Sequence, residues 1–187
     1  MKVLAIIPAK LDSTRLKKKN IRKINGKTLV EHSIDYAIAS KYDVEVVVSS
    51  ESTEVRDSFL GMYDSDKVSF HKRDTTLCGD TEVVDVYLDI VNNVVKDYDL
   101  VVGLQPDNPN RSQTLDECID YMIENNYDDL ITVNQNYKRS GSVRIFKYQY
   151  LKDGEVSKRL GCIKDSAIDI HYEDDLNKTQ TKMVNND

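Results

Sequence analysis

The sequence predicts an α/β fold, with a mainly parallel sheet between two layers of helices (three-layer α/β/α). Three observations lead there. Strand-like and helix-like patterns alternate along most of the chain, which implies crossover units. Two short runs, Val3–Ile7 and Leu100–Leu104, are continuously apolar, as strands buried on both faces are. With 187 residues, 7 glycines and 3 prolines, and no low-complexity tract, the chain offers material for one core and no interdomain linker. A single domain over residues 1–187 is expected.

The elements follow in order. Val3–Ile7 is the first strand. Val30, Ile34, Ala37 and Ile38 recur at helical spacing. Val44–Ser49 is rich in β-branched residues and reads as a second strand. Ser52 can cap a helix presenting Val55, Phe59 and Leu60, and Val68–His71 suits a short third strand. The clearest helix starts near Asp80-Thr81, with Val84, Leu88 and Val91 on one face and Val83, Tyr87, Val94 and Val95 widening it. Asp80 is a candidate N-cap. After the Leu100–Leu104 strand, Ser112 is the expected cap of a helix bearing Leu115, Cys118, Ile119 and Met122. Leu130–Val133 and Val143–Phe146 read as late strands. Asp174–Lys178 is at most a short terminal helix, and the polar residues from Asn177 to Asp187 are expected to fray.

Composition excludes several classes. The formal net charge is -6, with hydrophobic content of 40% and charged content of 31%, as in an ordinary soluble protein. An acidic chain with one basic patch does not suit general nucleic-acid binding, which needs a basic face. The longest apolar stretch, Val3 to Ala9, is too short to span a membrane. Only Lys2 separates it from Met1, and polar Lys10-Leu-Asp-Ser follows, so no cleavable leader is expected and the cytoplasm is the expected compartment. Three widely spaced cysteines (Cys78, Cys118, Cys162) and three scattered histidines (His32, His71, His171) form neither a disulfide framework nor a zinc motif. Cys118 falls on an apolar helix face and reads as core.

The chemistry is announced by Lys10, Arg15, Lys17, Lys18 and Lys19, a local reversal of the chain's sign directly after the first strand. In α/β sheets ligands bind beyond the carboxyl ends of strands, where cations and free backbone N–H groups converge on phosphate. A solvated surface run is the plain alternative. Its position beside the first strand favours a phosphorylated ligand. As a loop lysine with little to pack, Lys19 is expected to be replaceable by Ala without effect on folding.

Four segments carry a family likeness: Ile7-Pro-Ala-Lys…Ser13…Arg15-Leu…Lys19-Asn20-Ile21 with Asn25-Gly26-Lys27; Arg73…Gly79-Asp80-Thr81; Leu104-Gln105-Pro106…Pro109…Arg111; and Ile168-Asp169-Ile170…Asp175-Leu176. In this order they resemble the nucleotide-sugar cytidylyltransferases, specifically the acylneuraminate cytidylyltransferase (CMP-sialic acid synthetase) group. The resemblance implies a Rossmann-like, GT-A-like nucleotidyltransferase architecture. It also implies transfer of CMP from CTP to an acidic sugar (sialic-, legionaminic- or Kdo-like) or a smaller acid, releasing pyrophosphate, as in the supply of CMP-sugars for polysaccharide biosynthesis. Lys10, Ser13, Arg15 and Lys19 then stand where triphosphate is held, with Lys10 and Lys19 also catalytic. Asn20, Arg73, Asp80 and Thr81 stand at the nucleoside, and Gln105 at the acceptor. Asp169 is the implied catalytic Mg²⁺ ligand, with His171 a candidate beside it.

The chain also departs from that pattern. Lys10 replaces a usual arginine, losing bidentate geometry. Lys17-Lys18 replace Pro-Gly, and Gln-Pro-Thr-Ser-Pro becomes Gln105-Pro-Asp-Asn-Pro109. His171 replaces a second carboxylate, and imidazole is a poor Mg²⁺ ligand. Only Asn134–Ser140 remain where the family usually carries a long excursion for dimerisation and sugar binding, so a homodimer is left open without its usual arm. The competing readings are a nucleotide-binding protein of the same fold that has lost catalysis, the same chemistry with another nucleotide or acceptor, and a GT-A-type glycosyltransferase. The last would normally show an Asp-x-Asp where Gln105-Pro106-Asp107-Asn108 stands.

Overall fold

β1 (Lys2–Pro8) is the strand about which the sheet is built, and its residues Val3–Ile7 are fully buried. In the computed structural model, which describes residues 1–79, 81–155 and 157–184, parallel partners flank it on both edges. These are β4 (Asp43–Ser50) and β6 (Leu100–Leu104). Helices lie above and below, so β1 has no wet face, and an unbroken apolar run is what such a strand requires. Beyond β4 lies β5 (Val68–Lys72), again parallel. On the other side β8 (Arg139–Lys147) pairs antiparallel with β6, β7 (Asp129–Val133) antiparallel with β8, and β9 (Leu160–Lys164) parallel with β7. The order is β5-β4-β1-β6-β8-β7-β9, a mainly parallel sheet as the alternating pattern predicts.

The pleat divides β1 between two cores. Val3, Ala5 and Ile7 pack with Val30, Ile34 and Ala37 of α1 (Leu29–Ile38), Val55 of α2 (Thr53–Asp57), and Leu115, Cys118, Ile119 and Met122 of α4 (Leu115–Glu124). Leu4 and Ile6 face the opposite layer, formed by Val86, Tyr87, Ile90 and Val91 of α3 (Val83–Asn93) and Leu151 of α5 (Tyr148–Lys152). Each Val, Leu, Ile or Met side chain among them contributes about 1.5–3 kcal/mol by leaving water.

A third, smaller cluster lies off the sheet. A two-stranded ribbon, β2 (Lys23–Ile24) and β3 (Lys27–Thr28), turns through Asn25 (φ 49°) and Gly26 (φ 83°), the left-handed pair that tight hairpins demand. Ile24 joins Leu16, Leu29, Ile170 and Leu176, with Met183 packed against them. Leu176 and Met183 belong to α6 (Glu173–Val184). This cluster lays the C-terminal segment against the loop that follows β1.

Several expectations are corrected. α3 begins at Val83 after Glu82, later than Asp80-Thr81, and Glu82 makes no capping bond; Asp80 itself lies outside the described residues. The buried face of α3 runs through Val86, Tyr87, Ile90 and Val91. Val84 and Leu88 are only partly buried, and Val95, beyond the helix, is fully exposed. The segment is apolar on nearly every side, so periodicity could not choose a face. Gly103 chooses it, because a Cβ there would stand 2.1 Å from the Tyr87 hydroxyl. α4 is capped by Thr114 in a reciprocal pair with Glu117, and Ser112 instead hydrogen-bonds Asp165. Leu60 lies past the end of the short α2 and is exposed, as is Ile38. α6 runs on to Val184, because Leu176 and Thr179 are buried and Met183 packs on the third cluster. β9 was not foreseen. Among the described residues no helix is long and apolar enough to cross a membrane, and all three cysteines are free thiols.

Candidate nucleotide-binding site

The carboxyl ends of β1, β5 and β6 open into one cleft. The chain leaves β1 with Ala9 N–H donating to Ser49 O (2.8 Å) and Leu11 N–H to the Glu51 carboxylate (2.7 Å), which ties the loop root to β4. The basic loop then turns through Lys18, whose φ of 53° and ψ of 35° are left-handed, into a 3₁₀ turn over Lys19–Ile21. That turn is what aims Lys19 inward.

Lys19 is not a solvated loop lysine. Its Nζ donates to Asp107 Oδ2 (2.6 Å) and to Ile170 O (2.9 Å), and the Lys19 and Asp107 side chains are only 11% and 16% exposed. The premise that Lys19 has little to pack is therefore corrected: it is a buried, doubly bonded side chain. Ile170 N–H donates in turn to Asp107 O (2.9 Å). Three distant segments, the loop after β1, the loop after β6 and residues 169–171, are stitched together at one point.

Around this point most of the residues nominated from sequence line a single cleft: Lys10, Ser13, Lys19, Asn20, Arg73, Thr81 and Gln105. Asn20 Nδ2 holds Lys10 O (2.8 Å), and Lys10 Nζ reaches Gly79 O (3.3 Å), closing the basic loop over the Arg73–Thr81 segment. Arg73 is buried and donates to Ser49 Oγ (3.2 Å) and Ser49 O (2.6 Å), so it also anchors the end of β5 to β4. Arg15 is exposed and does not line the cleft, but its charge reaches Asp169. Asp80 is not among the described residues.

Asp169 and His171 lie at the clamp's outer edge, with His171 Nε2 3.0 Å from Asp169 Oδ2 and side chains 37% and 44% exposed for His171 and Asp169. Partial burial raises the Asp169 carboxyl above its ordinary range, and the negative charge of Asp107 raises it further. His171, Lys19 and Arg15 pull the other way. Two carboxylates thus crowd one corner. Among the described residues, Asp107 Oδ1 is buried with no hydrogen-bond partner. Oxygen donors, one of them unsatisfied, are what a hard divalent cation accepts, and Mg²⁺ commonly takes one or two carboxylates plus phosphate oxygens. Among the described residues no group of three or more His, Cys, Asp or Glu side chains could hold a metal ion by itself.

Asp107 is the residue that sequence reasoning passed over, noted only as a departure from a usual pattern. Its signal was an acidic side chain just past a fully buried strand. Three supporting roles were not legible either. Arg111 donates to Ser142 O (3.0 Å) and Gln105 O (2.7 Å), with its guanidinium 4.8 Å from the Tyr36 ring centre, and so fixes the exit of β6. Asp165 accepts from Ser112 N (2.8 Å), Ser112 Oγ (2.7 Å) and Ser142 Oγ. Burial alone would raise its carboxyl, but these hydrogen bonds outweigh burial and hold it below the ordinary value. Gly141, at φ 75°, lies so close to Gln105 that a Cβ would stand 2.8 Å from the amide nitrogen.

Residues 4–177 match the family model described as cytidylyltransferase. The chain belongs to the cytidylyltransferase family. It is 31% identical over 127 residues to the CMP-N,N'-diacetyllegionaminic acid synthase of Legionella pneumophila, a match covering 66% of this chain and 53% of that protein. It is 29% identical over 136 residues to a 3-deoxy-manno-octulosonate cytidylyltransferase of Chlorobium limicola, covering 71% and 51%. The chain thus spans about half the length of these curated relatives. In fold it is similar to a CMP:2-keto-3-deoxy-manno-octonic acid synthetase complexed with CTP, with a TM-score of 0.77 at 13% identity over 100% of both chains. It is also similar to a cytidylyltransferase from Leptospira borgpetersenii, with a TM-score of 0.69 at 18% identity over 99% of this chain and 87% of that one.

Proposed function

We propose that this chain transfers CMP from CTP to a hydroxyl of an acidic sugar, or of a smaller acid, and releases pyrophosphate. The observation that carries the reading is the Lys19 clamp, which joins the basic loop and the Asp107 carboxylate in one cleft at the end of β1 and β6 and ties the segment bearing Asp169 to it through Ile170 O. The family match and the names of the relatives, both synthases of CMP-linked acidic sugars, support the nucleotide and the acceptor class.

In this reading the acceptor oxygen attacks the α-phosphorus, and the bond from that phosphorus to the oxygen bridging to the β-phosphate breaks. The electron pair leaves with pyrophosphate, and the hydroxyl proton passes to solvent. Such a step needs little covalent help, and catalysis is positioning and charge stabilisation. Lys10, Lys19 and Arg15 spread the negative charge of the phosphates, and Ser13 adds a hydroxyl donor. Asn20, Arg73, Asp80 and Thr81 hold the nucleoside. Gln105, backed by Gly141, orients the acceptor. Lys19 has three donors and spends two on Asp107 and Ile170, which leaves the third for phosphate. Asp107 and Asp169 are the residues that would hold Mg²⁺, with His171 as partner to Asp169. The chemistry that ion supplies is neutralisation of phosphate charge.

The test is pyrophosphate release with CTP, ATP, GTP and UTP against 3-deoxy-manno-octulosonate, N,N'-diacetyllegionaminic acid and N-acetylneuraminate, with Mg²⁺ varied. Turnover is expected with CTP and at least one acid. Calorimetry showing GTP or UTP bound about tenfold tighter than CTP, a difference of about 1.4 kcal/mol, would overturn the nucleotide assignment. CTP binding without turnover on any acid would favour the non-catalytic binder.

A further inference from the structure

A serine, a histidine and an aspartate line up across β4, β5 and α3. Ser49 Oγ on β4 lies 3.2 Å from His71 Nδ1 on β5, and His71 Nε2 lies 3.4 Å from Asp89 Oδ2 on α3. Asn93, one turn further along α3, steadies Asp89 by donating from Nδ2 to Asp89 O (2.7 Å) and Asp89 Oδ1 (3.3 Å). The order of groups is that of a hydrolase triad. This serine is no nucleophile, however. Ser49 is fully buried, and its Oγ accepts from Arg73 Nε (3.2 Å).

The protons on this array can be placed by elimination. A guanidinium donates and never accepts, so Arg73 Nε occupies a lone pair of Ser49 Oγ. The Ser49 hydroxyl hydrogen then needs an acceptor, and among the described residues His71 Nδ1 is the one bonded to it. Nδ1 must be bare to accept. The proton of the neutral ring is then on Nε2, the nitrogen that faces the Asp89 carboxylate, a group that only accepts. His71 thus draws the hydroxyl hydrogen to its own side and turns the Ser49 lone pairs toward Arg73. A second Arg73 N–H, on Nη2, donates to Ser49 O (2.6 Å), so one serine holds two sides of the guanidinium. The rest of that fork is what can reach the nucleotide cleft, which Arg73 lines and Ser49, His71 and Asp89 do not.

We propose that His71 is a positioning residue for nucleotide binding: as acceptor of the Ser49 hydroxyl it fixes the direction in which Arg73 presents its guanidinium to the nucleoside. The proposal rests on the reading of Arg73 as a nucleoside contact and adds the groups that aim it. Asp89 holds the ring in the Nε2–H tautomer and so ties α3 to Arg73 through β5 and β4.

Two measurements on the full chain test this. Long-range proton–nitrogen correlation spectra at mildly alkaline pH report the tautomer of each of the 3 histidines, with His71 assigned by the signals lost in His71→Asn. His71 is expected as Nε2–H, and a proton on Nδ1 in wild type would overturn the proposal whether or not any variant folds. Calorimetry with CTP in EDTA then compares variants. Arg73→Gln should weaken CTP about tenfold or more, through loss of charge-assisted contacts. Ser49→Ala and His71→Leu should each weaken it about threefold or more. His71→Asn places an accepting oxygen where Nδ1 stood and should stay within about twofold of wild type. In a Ser49→Ala background His71→Leu should add nothing, because its effect passes through the hydroxyl. The proposal is overturned if His71→Leu binds CTP like wild type, if His71→Asn binds it as weakly as His71→Leu, or if His71→Leu weakens it as much in Ser49→Ala as in wild type. CTP affinity unchanged in Arg73→Gln would overturn the Arg73 contact and this proposal together. Failure of CTP to bind wild type would overturn the nucleotide reading as well.

Discussion

Removing Lys19 should destabilise the protein, unlike removing the exposed Lys17 of the same loop. Replacing it by Met keeps most of the aliphatic stem and deletes the charge. Asp107 then retains a carboxylate with one oxygen already unpartnered and the other newly so, in a side chain 16% exposed. Removing one partner of a buried ion pair typically costs about 3–5 kcal/mol, and because water reaches this pair the lower end, about 3 kcal/mol, applies. For a chain of 187 residues that corresponds to a fall in Tm of roughly 6–12 °C. Lys17→Met, at an exposed position with no bonded partner among the described residues, should stay within about 0.5 kcal/mol. The double variant Lys19→Met/Asp107→Asn should recover part of the loss, because the cost lies in the charge left behind. Urea unfolding followed by far-ultraviolet circular dichroism reads this directly, and tyrosine emission from 11 Tyr and no Trp gives a second probe. If Lys19→Met unfolds within about 0.5 kcal/mol of wild type, the clamp is not a stabilising contact and the argument from burial fails.

Lys18→Gly should stabilise the fold by about 0.5–1 kcal/mol, because the left-handed backbone costs a non-glycine residue about 1–2 kcal/mol and the exposed pair with Glu54 returns less; thermal melts decide it. Asp165 is held below its ordinary carboxyl range, so its stabilising contribution is complete above about pH 4 and is lost as pH falls through the lowered folded value. Asp165→Asn should therefore be less stable at neutral pH with a flatter acid limb, and an acid limb unchanged from wild type would refute the assignment. Asp107→Asn should weaken Mn²⁺ binding to the CTP-loaded chain about tenfold by paramagnetic titration, and adding His171→Asp should restore part of it if two carboxylates hold the ion. Equal Mn²⁺ affinity in wild type and Asp107→Asn would remove Asp107 from the proposed metal site.

The layers were legible because burial on both faces writes itself as unbroken apolar runs, as in β1 and β6, and because Thr or Ser before a periodic stretch marks helix starts to within two residues. The cleft was legible because short motifs at strand ends carry chemistry whatever surrounds them. What sequence could not show were the residues whose meaning depends on a partner far along the chain. Asp107 is an unremarkable acid until Lys19, 88 positions away, is seen to hold it. Asp165 is a loop carboxylate until Ser112 and Ser142 donate to it. Tyr87, set among valines on all sides, is chosen for burial by a glycine on another element.

The two crowded carboxylates also explain why the C-terminal segment must dock for the proposed site to exist. A pair two residues apart on one strand would hold its spacing through the backbone alone. Here Asp107 follows β6, whereas Asp169 lies just before α6, and their spacing is set by Lys19 bridging Asp107 to Ile170 and by the Ile170 N–H bond back to Asp107. Ile170 is itself held by the small cluster of Leu16, Ile24, Leu29 and Leu176. That cluster contains the one buried apolar residue of the basic loop, Leu16, so the cations and the carboxylates rest on the same few side chains. Anything that loosens α6 should shift both the proposed metal ligands and the phosphate-binding loop together. Nucleotide and metal affinity would then fall in concert and not one at a time.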